Sequence, residues 1–135
     1  MVIIGGTYYH ERDENIDELL SKLDINFILK RIVKMAPTMI LEVPEDPKGT
    51  FVLRVKVMLK TMEWTFKLGE PTEFSSPLGS RLVVFTEEDG NLVQRSLGPT
   101  SDGTTSIREF TEHGMIITLI HEESQVRAKR FFKRA

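Results

Sequence analysis

At 135 residues, with 28% charged and 40% hydrophobic residues, the chain is too apolar for a disordered segment and long enough to bury a core without staples, so one domain over 1–135 is expected. A formal net charge of −2 supplies no global basic field, so nucleic acid is not an expected partner. With no cysteine, a disulfide framework and thiolate chemistry are excluded. A reducing, cytoplasmic location is then the expectation: no run approaches a membrane span, Met1 to Ile4 is too short for a signal core, and Val2 is not a myristoylation position.

Gly5 to Glu11 carries Tyr8, Tyr9 and His10 and reads as a first strand ending at Asp13 or Glu14. From Asn15 the period changes, because Ile16, Leu19, Leu20 and Leu23 recur at spacings of three and four and share a helical face. Asp13 or Asn15 is the expected cap. Asp24 is the expected cap of a second helix, Ile25 to Met35, with Phe27, Ile28, Ile32 and Met35 on one face and Pro37 ending it. Lys30, Arg31 and Lys34 form a basic face on that helix. It reads either as a solvated surface or as a contact with anionic membranes.

Beyond Met39 the grammar is period two. Met39 to Val43 leads through the proline-rich turn Pro44–Gly49 into Thr50 to Val57, a hairpin. In the next strand Met62, Trp64, Phe66 and Leu68 alternate with Thr61, Glu63, Thr65 and Lys67, giving one apolar and one wet face. Gly69 to Ser80 reads as a turn-rich region. Leu82 to Thr86 and Asn91 to Ser96 flank a turn at Asp89-Gly90, and strands follow at Thr104 to Phe110, Met115 to Ile120 and Val126 to Arg134. About ten strands behind one helical hairpin suggest an all-β barrel with a helix-turn-helix lid, since closure removes the sheet edges.

Catalytic signatures are missing. His10, His113 and His121 lack metal-ligand spacing and read as ordinary exposed residues; no glycine-rich phosphate loop precedes a helix, and no serine sits in a nucleophile elbow. The acid pair Glu87-Glu88 reads as a solvated hairpin tip. No cofactor, metal or enzymatic activity is expected. What remains is Arg108, in Ser106-Ile107-Arg108-Glu109-Phe110, with Arg130, in Lys129-Arg130-Phe131-Phe132-Lys133. If Phe110 and Phe132 point inward, both arginines point inward with them, and two enclosed guanidinium groups call for an anion. Alternation equally allows both to face solvent.

Several runs resemble the intracellular fatty-acid-binding protein family, which includes the cellular retinoid-binding proteins. They are Gly6-Thr7-Tyr8, Glu14-Asn15-Ile16-Asp17-Glu18, Ile25-Asn26-Phe27, Lys34-Met35-Ala36, Phe66-Lys67-Leu68-Gly69-Glu70, Arg108, and the ending Arg130 to Ala135. The resemblance implies a ten-stranded antiparallel up-and-down barrel of the lipocalin-like calycin type, with both arginines inward as the site of a ligand carboxylate. It also implies a carrier of a long-chain fatty acid or similar hydrophobic carboxylate; the oligomeric state is left open by the sequence, with a monomer as the default. Ile16, Leu59, Met62, Trp64, Phe66, Phe110 and Phe132 are the corresponding cavity or portal candidates, although Met62 and Trp64 also suit plain core. Departures from the family pattern are Phe132 at its usual tyrosine, His10 at a usual leucine, Ile16 at a usual phenylalanine, and an altered Gly69 to Ser80 region. Retinoic-acid-type binding, or an interaction module with a vestigial cavity, are the alternatives.

Overall fold

The structure, a computed structural model, describes residues 2–76, 79–98 and 103–135. Residue 1 of the N-terminal reading and residues 77–78 of the Gly69 to Ser80 reading lie outside them. The elements run β1 (Gly6–Glu14), α1 (Ile16–Ser21), α2 (Phe27–Lys34), β2 (Thr38–Glu42), β3 (Phe51–Val57), β4 (Lys60–Phe66), β5 (Thr72–Ser76), β6 (Gly79–Glu88), β7 (Asn91–Leu97), β8 (Thr104–Phe110), β9 (Gly114–His121) and β10 (Val126–Arg134). All ten strands join one antiparallel sheet in the order β4-β3-β2-β1-β10-β9-β8-β7-β6-β5. Each neighbour is therefore a chain neighbour except at β1–β10, where the two ends of the chain meet, and the expected up-and-down barrel is borne out.

Strands β4 and β5 are the two ends of that hydrogen-bonded order. Side chains hold this seam: the Trp64 indole N–H donates to the Ser75 carbonyl at 2.9 Å, and its ring stacks on Phe74 at 4.0 Å. Phe66 continues the stack onto Phe85 at 3.8 Å. Strand β5 corrects the reading of Gly69 to Ser80 as turn alone. Thr72 to Ser76 lacks a repeating apolar alternation, and Phe74 is its only aromatic, so the strand exists through pairing with β6 and this stack rather than through local pattern.

Turn chemistry follows the sequence elsewhere. Asp89 and Gly90 both adopt positive φ, 54° and 81°, the type I′ geometry that matches strand twist. In the β2–β3 turn the Asp46 side chain accepts from the Lys48 N–H at 2.9 Å, an Asx turn.

The helical hairpin forms with different caps. Asn26, not Asp24, caps α2 by accepting from the Leu29 N–H at 2.9 Å, so the helix begins two residues later than expected. Asn15 precedes α1 in a left-handed conformation without capping it; its amide instead donates to the Arg127 carbonyl at 2.8 Å and ties the helix to β10. Ile16, Leu19 and Leu20 pack on Ala128, with Leu23, Ile25, Val33, Leu119 and Val126 around them. This cluster closes one end of the barrel. The apolar residues of α2 share a face as expected, but no α2 residue is fully buried. Val33 is the contact with the cluster, and Phe27 and Ile28, six and five residues earlier, are rotated from it by about 120° and 140°. They face outward, 72% and 67% exposed.

Arg134 closes the opposite end. Its guanidinium donates to the carbonyls of Thr111 (2.8 Å) and Glu112 (3.1 Å) and lies over the Tyr8 ring, while Tyr8 meets Phe110 edge-on at 6.0 Å.

Candidate functional site

A single row of paired residues crosses the barrel wall: Asp13 opposite Arg130, Arg130 opposite Ile117, and Ile117 opposite Arg108. Two strand spacings separate the arginine backbones, about 10 Å. Both side chains are buried, which favours the inward alternative left open by alternation. Asp13 reaches the row through an irregularity in β1: His10 pairs with Phe132, but Arg12 pairs with Phe131, so Glu11 is the extra residue of a bulge. Simple alternation would place 8, 10 and 12 inward. The bulge turns the chain so that His10 and Asp13 share the inner face, while Arg12 lies outside over the Phe131 ring at 3.7 Å.

The two arginines have different partners. Arg130 donates from Nε to Asp13 Oδ1 at 2.9 Å and from Nη2 to the Met35 carbonyl at 3.4 Å. His10 Nε2 lies 2.7 Å from the same Asp13 oxygen; facing an ionised acceptor, that nitrogen carries the proton. Burial alone raises the Asp13 carboxyl, but the hydrogen bonds and charges of Arg130 and His10 outweigh it and hold it below the usual carboxylate range. Asp13 is thus an anion at neutral pH. Side-chain exposures of 10%, 12% and 10% for His10, Asp13 and Arg130 correct the reading of His10 as an exposed residue.

Arg108 has no such carboxylate. Its Nη1 donates to the Gln94 amide oxygen at 3.1 Å, its guanidinium lies 5.8 Å from the Phe85 ring centre, and its buried Nε has no hydrogen-bond partner among the described residues. Burial pushes it down to about 10, so it is still a cation at neutral pH. Arg12, Arg54, Arg95 and Arg130 each meet a carboxylate, whereas Arg108 meets a neutral amide. Counting Arg108, Arg130 and Asp13, the interior carries one uncompensated positive charge. Gln94, His10 and Asp13 were missed by sequence reasoning. Gln94 was legible as the inward neighbour of Leu92 in β7, but Asp13 depends on a bulge that alternation does not announce.

The apolar candidates separate by level. Phe110 has no exposed surface and packs with Tyr8 at the closed end. Phe132 is buried one step from Arg130, its ring 5.4 Å from and edge-on to His10. Trp64 and Phe66 belong to the aromatic stack, Met62 packs against it half-buried, and Ile16 lies in the helix-side cluster. Leu59 projects fully from the β3–β4 turn, 103% exposed beside the exposed Met58. On α2, Lys34 is paired with Asp17 at 2.7 Å and Arg31 lies 5.8 Å from the Phe27 ring, so the expected basic face carries less free charge than three residues suggest. Glu88 is held by Arg95 and Thr86, which lower its carboxyl to about 2; it is an outer cross-strand contact. Among the described residues no cluster of histidine and acids could hold a metal ion.

No protein-family model matches the chain. A fatty acid-binding protein of Tyrophagus putrescentiae is 34% identical over 137 residues, covering 99% of each chain. Cellular retinoic acid-binding protein 2 of Rattus norvegicus is 30% identical over 118 residues, 84% of this chain and 85% of that one. Among solved structures, the fatty acid-binding protein from brain tissue of Drosophila melanogaster superposes with a TM-score of 0.79 at 26% identity, covering 96% of this chain and 98% of that one.

Proposed function

Because the chain belongs to the fatty acid-binding protein family, a family of lipid carriers rather than enzymes, we propose that it carries a long-chain fatty acid in the cytoplasm, as a monomer. The carboxylate is directed into the buried row that holds Arg108 and Arg130, with Arg108 its nearest unmatched charge, and the tail lies along the apolar interior. The observation that carries this reading is Arg108, a buried cation beside the Phe85 ring whose Nε has no hydrogen-bond partner among the described residues. A carboxylate supplies both the charge and the in-plane acceptors that a guanidinium fits. Tail burial supplies most of the driving force at about 0.8 kcal/mol per methylene, and the head sets direction.

Calorimetric titration of the delipidated protein with a long-chain fatty acid tests the reading, with retinol as the neutral comparison. Saturation near one equivalent by the acid, with little heat from retinol, is the expected result. Absence of acid binding by the folded protein would remove it. The relative named for retinoic acid binding supports a second reading, in which the cargo is retinoic acid. Its head chemistry is the same, so a third titration with that acid ranks the two.

Delivery to anionic membranes is the proposed role of α2. Its outward Phe27 and Ile28 supply apolar surface beside Lys30 and Arg31, a combination suited to a charged interface. Replacing Lys30, Arg31 and Lys34 by glutamine is expected to slow transfer to anionic vesicles about thirtyfold, at roughly 1 kcal/mol for each of Lys30 and Arg31 near the surface, and to leave lipid affinity intact. An unchanged rate in a fluorescent fatty-acid transfer assay would rule this role out.

A further inference from the structure

Arg130 already has a carboxylate. We propose that Asp13 is a specificity-determining residue of the interior: as the resident counter-ion of Arg130 it leaves Arg108 as the receptor for the ligand head, so the barrel takes one monocarboxylate. The inference rests on the proposed carrier function and deepens it.

Three observations carry it. The β1 bulge delivers Asp13 into the arginine row, where Arg130 binds it from Nε at 2.9 Å and from Nη2 at 3.5 Å. The remaining geometry of Arg130 points the same way, for its Nη2 also meets the Met35 carbonyl at 3.4 Å, between the second helix and β2. His10 and Phe132 complete the enclosure: His10 is bonded to Asp13 at 2.7 Å and packs edge-on against Phe132, whose ring offers no hydroxyl to redirect either group. A ligand carboxylate reaching for Arg130 must displace Asp13 and leave it ionised and enclosed without its guanidinium, with the His10 bond still in place. At Arg108 it displaces only a neutral amide bond and meets an Nε that has no partner among the described residues. Charge complementarity agrees, since Arg130 is already matched by Asp13 whereas Arg108 meets a neutral amide.

The test compares oleate with oleyl alcohol, which share a tail and differ in the head. Asp13→Asn removes the resident charge with little change of shape and should raise oleate affinity about tenfold, because two guanidinium groups then face the head. Alcohol affinity should not change, and adding Arg130→Gln to Asp13→Asn should abolish the gain. On the unaltered protein, side-chain NMR of labelled arginines should show oleate shifting the Arg108 Nε–H resonance and leaving that of Arg130 in place, a readout that stands even if a variant fails to fold. Unchanged or weaker oleate binding by a folded Asp13→Asn protein, an equal change for the alcohol, or an oleate-induced shift at Arg130 would each overturn the assignment of Asp13. Failure of the unaltered protein to bind either lipid would instead remove the carrier reading on which it rests.

Discussion

Arg108→Met should make the ligand-free barrel more stable and a worse carrier. Arg108 is buried with one neutral hydrogen-bond partner and a Nε that has none among the described residues. Buried charges without a good counter-charge are costly, and exchanging them for apolar side chains of similar length is often stabilising by about 1–4 kcal/mol. Gln94 loses its partner in the exchange and takes back part of that gain, so a net increase of about 1–3 kcal/mol is expected in urea unfolding. The same substitution removes a buried cation that meets only a neutral amide among the described residues. Fatty-acid affinity should fall at least about tenfold, since hydrogen bonds to a charged group are worth about 1.5–3 kcal/mol, while affinity for a fatty alcohol of the same length should hold. Arg54 is the contrasting case: it bridges Glu42 and Glu63 across β2, β3 and β4 on the outer face, and its loss should touch neither quantity strongly. If Arg108→Met instead destabilised the protein and weakened acid and alcohol alike, Arg108 would be a packing residue and not a headgroup receptor.

The pattern of Met62, Trp64 and Phe66 was legible because a strand with one wet face writes its register into alternating side chains. The same holds for Phe110, Phe132 and both arginines, whose shared face follows from spacing alone once one member is placed inside. Two kinds of feature were not legible. Strand β5 is stabilised by tertiary contacts, Phe74 on Trp64 and the ladder to β6, and its own residues mimic a turn. The Asp13–Arg130 pair joins positions 117 residues apart through a bulge that changes the parity of β1. Sequence alternation carried past Glu11 puts Arg12 inside and Asp13 outside, the reverse of what the fold does. The consequence is functional: two arginines read from sequence as a matched pair awaiting an anion become, in the fold, one compensated and one free cation. On α2 the helical period was read correctly, but its N-terminal residues Phe27 and Ile28 are turned to solvent, because helix placement is set by Val33 and its neighbours and not by the strongest apolar residues.

Gly114→Ala should be among the most damaging single substitutions outside the arginine row, lowering stability by about 3 kcal/mol or more, at the upper end for overpacking. Gly114 opens β9 opposite Lys133, and a Cβ there would stand 1.9 Å from the Phe132 carbonyl oxygen and 2.9 Å from its carbon. The obstruction is backbone in a ladder, so no rotamer change relieves it. One of the two strands must move. The turn that would have to give is already fixed, because the Gly114 N–H donates to the Thr111 hydroxyl at 3.0 Å and its carbonyl accepts from the Thr111 N–H at 2.9 Å. Arg134 adds its bond to the Thr111 carbonyl. The strain therefore passes into β10, which carries Phe132 and, two residues earlier, Arg130. Gly69→Ala is the comparison, for nothing lies within 4 Å of its Cβ position and the cost there is only the positive φ of 79°, about 1–2 kcal/mol. Thermal unfolding of the two variants should thus separate steric from conformational cost, with the larger drop at Gly114. A smaller drop at Gly114 than at Gly69 would mean that the β9–β10 junction yields easily, and that the closed end of the barrel is not the rigid support from which Phe132 and Arg130 project.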